Sequence, residues 1–286
     1  MTIQCLGNIG YQGGITYSPL KFVTEAEYWE KYYDYPDVTY EWNNGYLEEK
    51  AVSDFATYLT YEWFWELLKH YLRTKPIAKT VGLETGFKLK LPHKTFVRRP
   101  DSGIVLNTNK IPLLPKDRSY KGTFDLCIEA VSDSTKADIE RDTEDKFEEY
   151  AQAGVKEYYI LDGHDRYSGF YRLGTSGIYQ PIQVSKGIIK SIVLPGFQFR
   201  IEDLYNCPSF FEMTEDKVYK DFVLPEYAEA LQRAEEAEQR VHIAFSEGAQ
   251  KKTFEIASNL LGKGFAPALI AEMTGLSNEE LTKLLQ

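Results

Sequence analysis

Apolar and polar positions along the chain recur with two different periods, and the switches between them mark its elements. "TEAEYWEKYYDY", with Thr24 and Glu27 in a cap-like arrangement, predicts a short helix. "TYEWNNGYLEEK" predicts two short strands around Asn44-Gly45, a strong hairpin signal. From Asp54 to Leu72, "DFATYLTYEWFWELLKHYL" carries apolar residues at helical spacing with aromatics on more than one face, which predicts a long, well-buried helix. Strand patterns follow in "AKTVGLETGFKLKL", "TFVRRPDSGIVLN" and "TFDLCIEAVS". The last is almost continuously apolar, as in a central strand covered on both faces. "DIERDTEDKFEEYAQAG" predicts a helix ending at Gly154, and "VKEYYILDG" another strand. "GFYRL" with "IYQPIQVS" predicts a hairpin, and "GIIKSIVLPGFQFRIEDLY" short edge strands.

The pattern changes after about Pro208. Residues 225–249 read as a charged helix with an apolar stripe of Leu231, Ala234, Val241 and Phe245. "FEIASNLLGKGFAPALIAEMTGLSNEELTKLL" reads as three short helices, the last opened by a Ser277–Glu280 capping box. The order of elements predicts an α/β fold: a mixed central sheet flanked by helices, with an all-helical C-terminal extension. The expected division is a loose arm over residues 1–23, an α/β domain over 24–207 and a helical extension over 208–286.

Composition narrows the classes. Hydrophobic residues make up 43% of the 286, enough for a sizeable core. A net charge of −10 disfavours broad phosphate binding but leaves room for a local basic cleft. The three cysteines, Cys5, Cys127 and Cys207, are odd in number and widely spaced, so reduced thiols and a cytoplasmic setting are expected. No apolar run reaches the roughly 20 residues that span a bilayer. The N-terminus lacks the basic start and apolar stretch of a signal peptide. The histidines show no metal-binding spacing.

Three charged residues stand in places that suggest chemistry: Asp101 after Pro100, Glu129 inside "LCIEAVS", and Lys146 in the following helix. A carboxylate within so apolar a strand is costly unless paired, protonated or bound to a cation. If the strands bearing Asp101 and Glu129 are neighbours in register, two acids converge at one end of the sheet and suit Mg²⁺. Each residue also has a plainer reading. Asp101 would start a strand, Glu129 would pair with Arg98 or Arg99, and Lys146 would be solvated. Lys88, Lys90, Arg98 and Arg99 precede Asp101 and form either a phosphate-binding rim or a solvated edge hairpin.

"RRPD", "IEAVSDST" and "DTEDKFEEYAQAGVKEYYILD" together resemble the Uma-two family of restriction endonucleases, a branch of the PD-(D/E)XK nuclease superfamily. The matching residues are Pro100 and Asp101; Glu129, Ser132, Ser134 and Thr135; Asp142, Lys146 and Tyr150; and Gly154, Val155, Glu157 and Tyr158. Glu41 and Gly45 match an element near the start. The resemblance implies a restriction-endonuclease-like core over about 24–203 and Mg²⁺-dependent hydrolysis of phosphodiester bonds. DNA is the expected substrate ahead of RNA, and Mn²⁺ a substitute ion. It implies Asp101 and Glu129 as metal ligands, with a main-chain carbonyl of Ala130 or Val131 beside them. Lys146 would be the catalytic ammonium, because Val131 stands where superfamily nucleases carry a strand lysine. Glu41 and Asp142 are auxiliary: an outer or second-metal ligand, and a partner that fixes Lys146. The missing strand lysine and the acidic charge motivate an alternative, a nuclease-fold protein that no longer cuts and serves as a binding or regulatory module. The C-terminal helices look like a helix-turn-helix whose second helix is acidic, so a docking or homodimerising role is expected rather than groove reading.

Overall fold

The computed structural model describes residues 22–82 and 84–284. The expected arm over 1–23 therefore lies almost wholly outside the described residues, as does Cys5. Two compact units meet between Val223 and Leu224.

In the first unit, α1 (Glu25–Glu27) starts at Thr24, whose hydroxyl accepts from the Glu27 amide, and runs on as a π turn to Tyr32. Strands β1 (Tyr40–Asn43) and β2 (Tyr46–Glu49) form the hairpin. Asn44 and Gly45 both have positive φ there, as a tight turn matched to strand twist requires. Helix α2 (Phe55–Thr74) is capped by Asp54, whose carboxylate accepts from the Thr57 amide. It is followed by β3 (Ala78–Val81), β4 (Phe87–Lys90), β5 (Thr95–Arg98), β6 (Ser102–Leu106) and β7 (Leu126–Ala130). Next come α3 (Lys136–Glu140), a π turn over Arg141–Asp145, and α4 (Lys146–Ala153), which Gly154 ends in the left-handed conformation. Strands β8 (Glu157–Leu161), β9 (Gly169–Leu173) and β10 (Tyr179–Pro181) follow. A small ribbon of β11 (Ile188–Lys190) and β12 (Gln198–Arg200) and the single-turn α5 (Asp203–Asn206) come after them.

One sheet has the order β10-β9-β8-β7-β6-β3, with β7 and β8 parallel and the other pairs antiparallel; a second has the order β2-β1-β5-β4. This is the mixed α/β arrangement expected from the pattern. Strand β7 is central, and its apolar run is explained by cover on both faces. Cys127 joins a core with Tyr158 and Ile160, with Tyr150 of α4, and with Phe87 and Phe96 of the second sheet. Tyr159, one residue along β8, turns to the other face and meets Phe64 of α2. By the same alternation Glu129 shares the face of Cys127 and points toward α4.

Residues 208–223, which follow the expected division at 207/208, pack with the first unit. Trp63 donates to the Pro208 carbonyl, Thr74 to that of Phe222, and Gln198 to that of Val218; Arg200 grips Asp216 with two bonds of 2.7 Å. In the second unit α6 (Pro225–Gly262) takes in the first of the three expected short helices. "QKKT" between the two predicted segments contains no helix breaker. Helices α7 (Pro267–Thr274) and α8 (Asn278–Leu284) follow. Ser277 and Glu280 form the reciprocal capping pair.

Candidate functional site

Strands β6 and β7 pair Ser102 with Ile128 and Gly103 with Cys127, so one step further Asp101 stands opposite Glu129. Neighbours across an antiparallel pair project to the same side. Asp101 Oδ2 accepts from the Ala130 amide at 2.7 Å, which locks the carboxylate to the end of β7. Its Oδ1 faces Lys50 Nζ at 2.6 Å, and Lys50 also donates to the Arg99 carbonyl at 2.8 Å. Asp101, with a side chain 24% exposed, lines a cleft of about 230 Å³ together with Ala130, Ser53, Tyr61 and Glu84.

Glu129 is 1% exposed and does not line that cleft. Its Oε1 accepts from the Tyr150 hydroxyl at 2.7 Å, and its Oε2 lies 3.1 Å from Lys146 Nζ. Lys146, equally buried, also stands 2.8 Å from Asp142 Oδ1 and 3.6 Å from Glu41 Oε1. The Asp142 contact is an ion pair rather than a directed hydrogen bond, since Oδ1 accepts none in good geometry. The π turn at the head of α4 supplies Asp142, and α4 itself opens with Lys146. Such irregular turns are common at functional sites.

Electrostatics divide the acids. Burial raises the Glu129 carboxyl to about 7, since Lys146 offsets it incompletely and Asp101 adds a like charge. Burial would raise Glu41 too, but Lys146 and Arg98 outweigh it and hold that carboxyl down at about 2. Burial also works against the Lys146 charge, yet Asp142, Glu129 and Glu41 together hold it above its ordinary value.

The structure thus brings Asp101, Glu129, Lys146, Asp142 and Glu41 into one network. It does not bring the four rim cations together. Arg98 is fully buried, donating to both oxygens of Glu149 at 2.6 and 2.8 Å, to Glu41 at 3.0 Å and to Glu48. Arg99 donates to the carbonyls of Glu84 and Tyr33. The Arg98 guanidinium is closed to phosphate and that of Arg99 is held by two carbonyls, whereas Lys88 and Lys90 lie on the edge strand β4. Both Glu41 oxygens are engaged, Oε2 by Arg98 and Oε1 by the Arg99 amide at 2.7 Å, which makes Glu41 a strut of the network and not an open ligand. Thr135 caps α3, while Ser132 and Ser134 donate to the Val52 carbonyl and tie down the end of β7. Sequence reasoning missed Lys50. It follows β2 directly, and its only local signal is its place at the end of the hairpin that carries Glu41.

Among the described residues no three His, Cys, Asp or Glu side chains form a group able to hold a metal ion. The pair Asp101 and Glu129 still fits Mg²⁺, which takes one or two carboxylates and keeps several waters. Each acid has one oxygen fixed by a neutral donor and one facing an ammonium, so each can give one oxygen to a cation. The raised Glu129 carboxyl reflects its burial, which Lys146 offsets only in part and which a bound cation would offset further.

A family model for Uma2, described as "Putative restriction endonuclease", matches residues 26–202. A second, described as "Rpn/YhgA-like nuclease family, C-terminal HTH domain", matches residues 250–286. No curated protein matches. Among solved structures, the "putative nuclease belonging to DUF820 from Anabaena variabilis ATCC 29413" superposes with a TM-score of 0.51. The match covers 65% of this chain and 98% of that one at 13% identity, a likeness of fold.

Proposed function

The chain belongs to the Uma2 family of restriction endonucleases, and from that premise we propose that it is a Mg²⁺-dependent endonuclease that hydrolyses phosphodiester bonds of DNA at Asp101 and Glu129. The observation that carries the reading is that these two carboxylates stand opposite each other, Asp101 just before β6 and Glu129 on β7, with Asp101 at an open cleft. Held by Asp101 and Glu129, Mg²⁺ or Mn²⁺ would polarise the phosphate and lower the pKa of a bound water.

The chain's own groups do the positioning. The Ala130 amide and the Tyr150 hydroxyl fix one oxygen of each acid. Lys146, held by three carboxylates, orients Glu129 and favours its ionised form; its burial makes it a positioning residue and not the substrate-facing ammonium expected from the sequence. Lys50, whose side chain is 9% exposed, is the ammonium closer to solvent and the donor available to a phosphate oxygen beside Asp101.

Asp101→Asn and Glu129→Gln, which keep side-chain oxygens for the neighbouring donors, are expected to abolish Mg²⁺-dependent cleavage of supercoiled and linear DNA while leaving the protein folded in urea-free buffer. Cleavage at the parental rate by the double variant would refute the assignment. One observation favours the second reading, a nuclease fold that no longer cuts: each acid already faces a lysine, and Glu129 is closed to solvent. Calorimetric titration with Mg²⁺ and Mn²⁺ separates the two, because an inactive site of this kind takes up neither ion.

A further inference from the structure

The α/β unit has a larger cleft than the one at Asp101. A recess of about 860 Å³ opens at the other end of β7, and Lys88, Lys90, Lys110, Lys121 and Lys156 stand around it. Among the described residues only two carboxylates, Glu25 and Asp125, share its wall. In a chain of net charge −10 this is a local reversal of sign. We propose that this lysine-walled recess is a docking site for the phosphodiester backbone of nucleic acid, separate from the Asp101–Glu129 pair.

The states of the lysines support a dynamic polyanion site over a structural salt-bridge cluster. Lys88 pairs with Glu25, and Lys156 lies 2.7 Å from Asp125 Oδ1. Lys121 donates to Ser119 Oγ at 2.7 Å and sits 5.6 Å from the centre of the Trp29 ring. Lys90 and Lys110 are exposed and, among the described residues, make no ion pair. A single inorganic phosphate would fill only a small part of so large and open a recess, whereas a polymer of phosphates would meet several lysines at once. Such contacts release counterions and give binding a steep salt dependence.

Position supports the same ligand. Asp125 stands just before the strand that Glu129 nearly closes, four residues on, a separation of about 13 Å at strand rise. Glu84, just before β4, lines the Asp101 cleft, while Lys88 and Lys90 on β4 line the recess. A nucleic acid engaged at Asp101 therefore has a basic wall within a few nucleotides of the bond it presents. The inference rests on the nucleic-acid substrate of the preceding reading, but not on cleavage.

The test measures binding in EDTA, so that cutting plays no part. Full-length protein, a Lys90→Gln/Lys110→Gln/Lys121→Gln variant and a charge-matched Lys186→Gln/Lys217→Gln/Lys220→Gln control are titrated with fluorescent 20-mer duplex and single-stranded DNA across a salt series. The recess variant is expected to bind more weakly, with a log K against log salt slope shallower by about 2 to 3, near 0.9 per lost phosphate contact. The control is expected to keep the parental slope. Equal loss in both variants, an unchanged slope in the recess variant, or no duplex or single-strand binding by the parent would overturn the proposal. So would tripolyphosphate binding that is lost in the recess variant without any change in DNA binding. Parental binding with this signature but without cleavage in Mg²⁺ would sink the nuclease reading and leave the recess standing.

Discussion

The two ends of β7 place the same chemical groups in opposite surroundings. At the Ala130 end, Lys146 is sealed among Glu129, Asp142 and Glu41, and Lys50 nearly sealed against Asp101. At the Asp125 end, Lys156 holds a buried carboxylate from a side chain that is itself 57% exposed, with other lysines in solvent around it. A buried ammonium is fixed by its partners, and each partner is fixed in return. An exposed one keeps its charge in water and can change partners at little cost. The first arrangement suits the geometry of a reacting centre, and the second suits a long, mobile polyanion.

Removing the ammonium from each end should expose that difference. Lys146→Met leaves Glu129, Asp142 and Glu41 facing one another without their shared cation. Breaking a buried ion pair from one side costs about 3–5 kcal/mol. Urea unfolding should show a loss of that size, and a midpoint within error of the parent would mean the network is not held by Lys146.

The same lysine contacts two acids that titrate in opposite directions, which gives the sealed end a pH signature. Glu129, raised to about 7, keeps its proton in the fold at a pH where the unfolded chain has lost it. Metal-free stability should therefore fall as pH rises from about 4.5 toward 7, by roughly 3 kcal/mol at 1.36 kcal/mol per unit. Glu41, lowered to about 2, adds stability that is present above its ordinary value of 4.5 and is lost as pH falls through 2. Thermal melts in EDTA should thus peak near pH 5. Mg²⁺ competes with the Glu129 proton, so 10 mM of the ion should raise the melting temperature more at pH 8 than at pH 5.5. An equal rise at both would detach the metal from Glu129.

Much of this was legible in the chain. Asn44-Gly45 demanded a hairpin, the period of 54–72 a buried helix, and an acid inside "LCIEAV" a partner. Arg98 was misread because its neighbours in sequence, Arg99 and Pro100, suggested a basic rim. Its real partners, Glu41, Glu48 and Glu149, come from other elements that no local pattern links to it. Lys50 was hidden for the same reason, being 51 residues from Asp101. Pairings set by tertiary packing leave no local periodicity, whereas helices and hairpins do. The recess was half visible through Lys88 and Lys90, but Lys110, Lys121 and Lys156 join it only when β4, the loop before β7 and the end of α4 are folded together.

Lys50 lies between the two extremes, and its removal should be milder. Lys50→Met frees Asp101 Oδ1 beside a cleft that water can reach. Without a competing ammonium, Mg²⁺ affinity measured by calorimetry is expected to rise by up to about tenfold, or 1.4 kcal/mol. Stability in EDTA should change by less than in Lys146→Met. Unchanged ion affinity would show that Lys50 does not occupy the cation's side of Asp101.

The smallest effect belongs to the open end. Asp125 is buried, but its Oδ2 accepts from the Leu106 amide at 2.9 Å and from Asn109 Nδ2 at 2.8 Å, both of which survive the loss of Lys156. Oδ1 then faces the recess, where water can replace the ammonium. Lys156→Ala should therefore cost about 1 kcal/mol or less in urea unfolding, in the range of exposed ion pairs, and that cost should shrink further in 0.5 M salt. A loss as large as that of Lys146→Met, insensitive to salt, would mean the lysines of the recess are structural counterions like those at the other end of the strand. That result would remove the physical distinction on which the docking role depends.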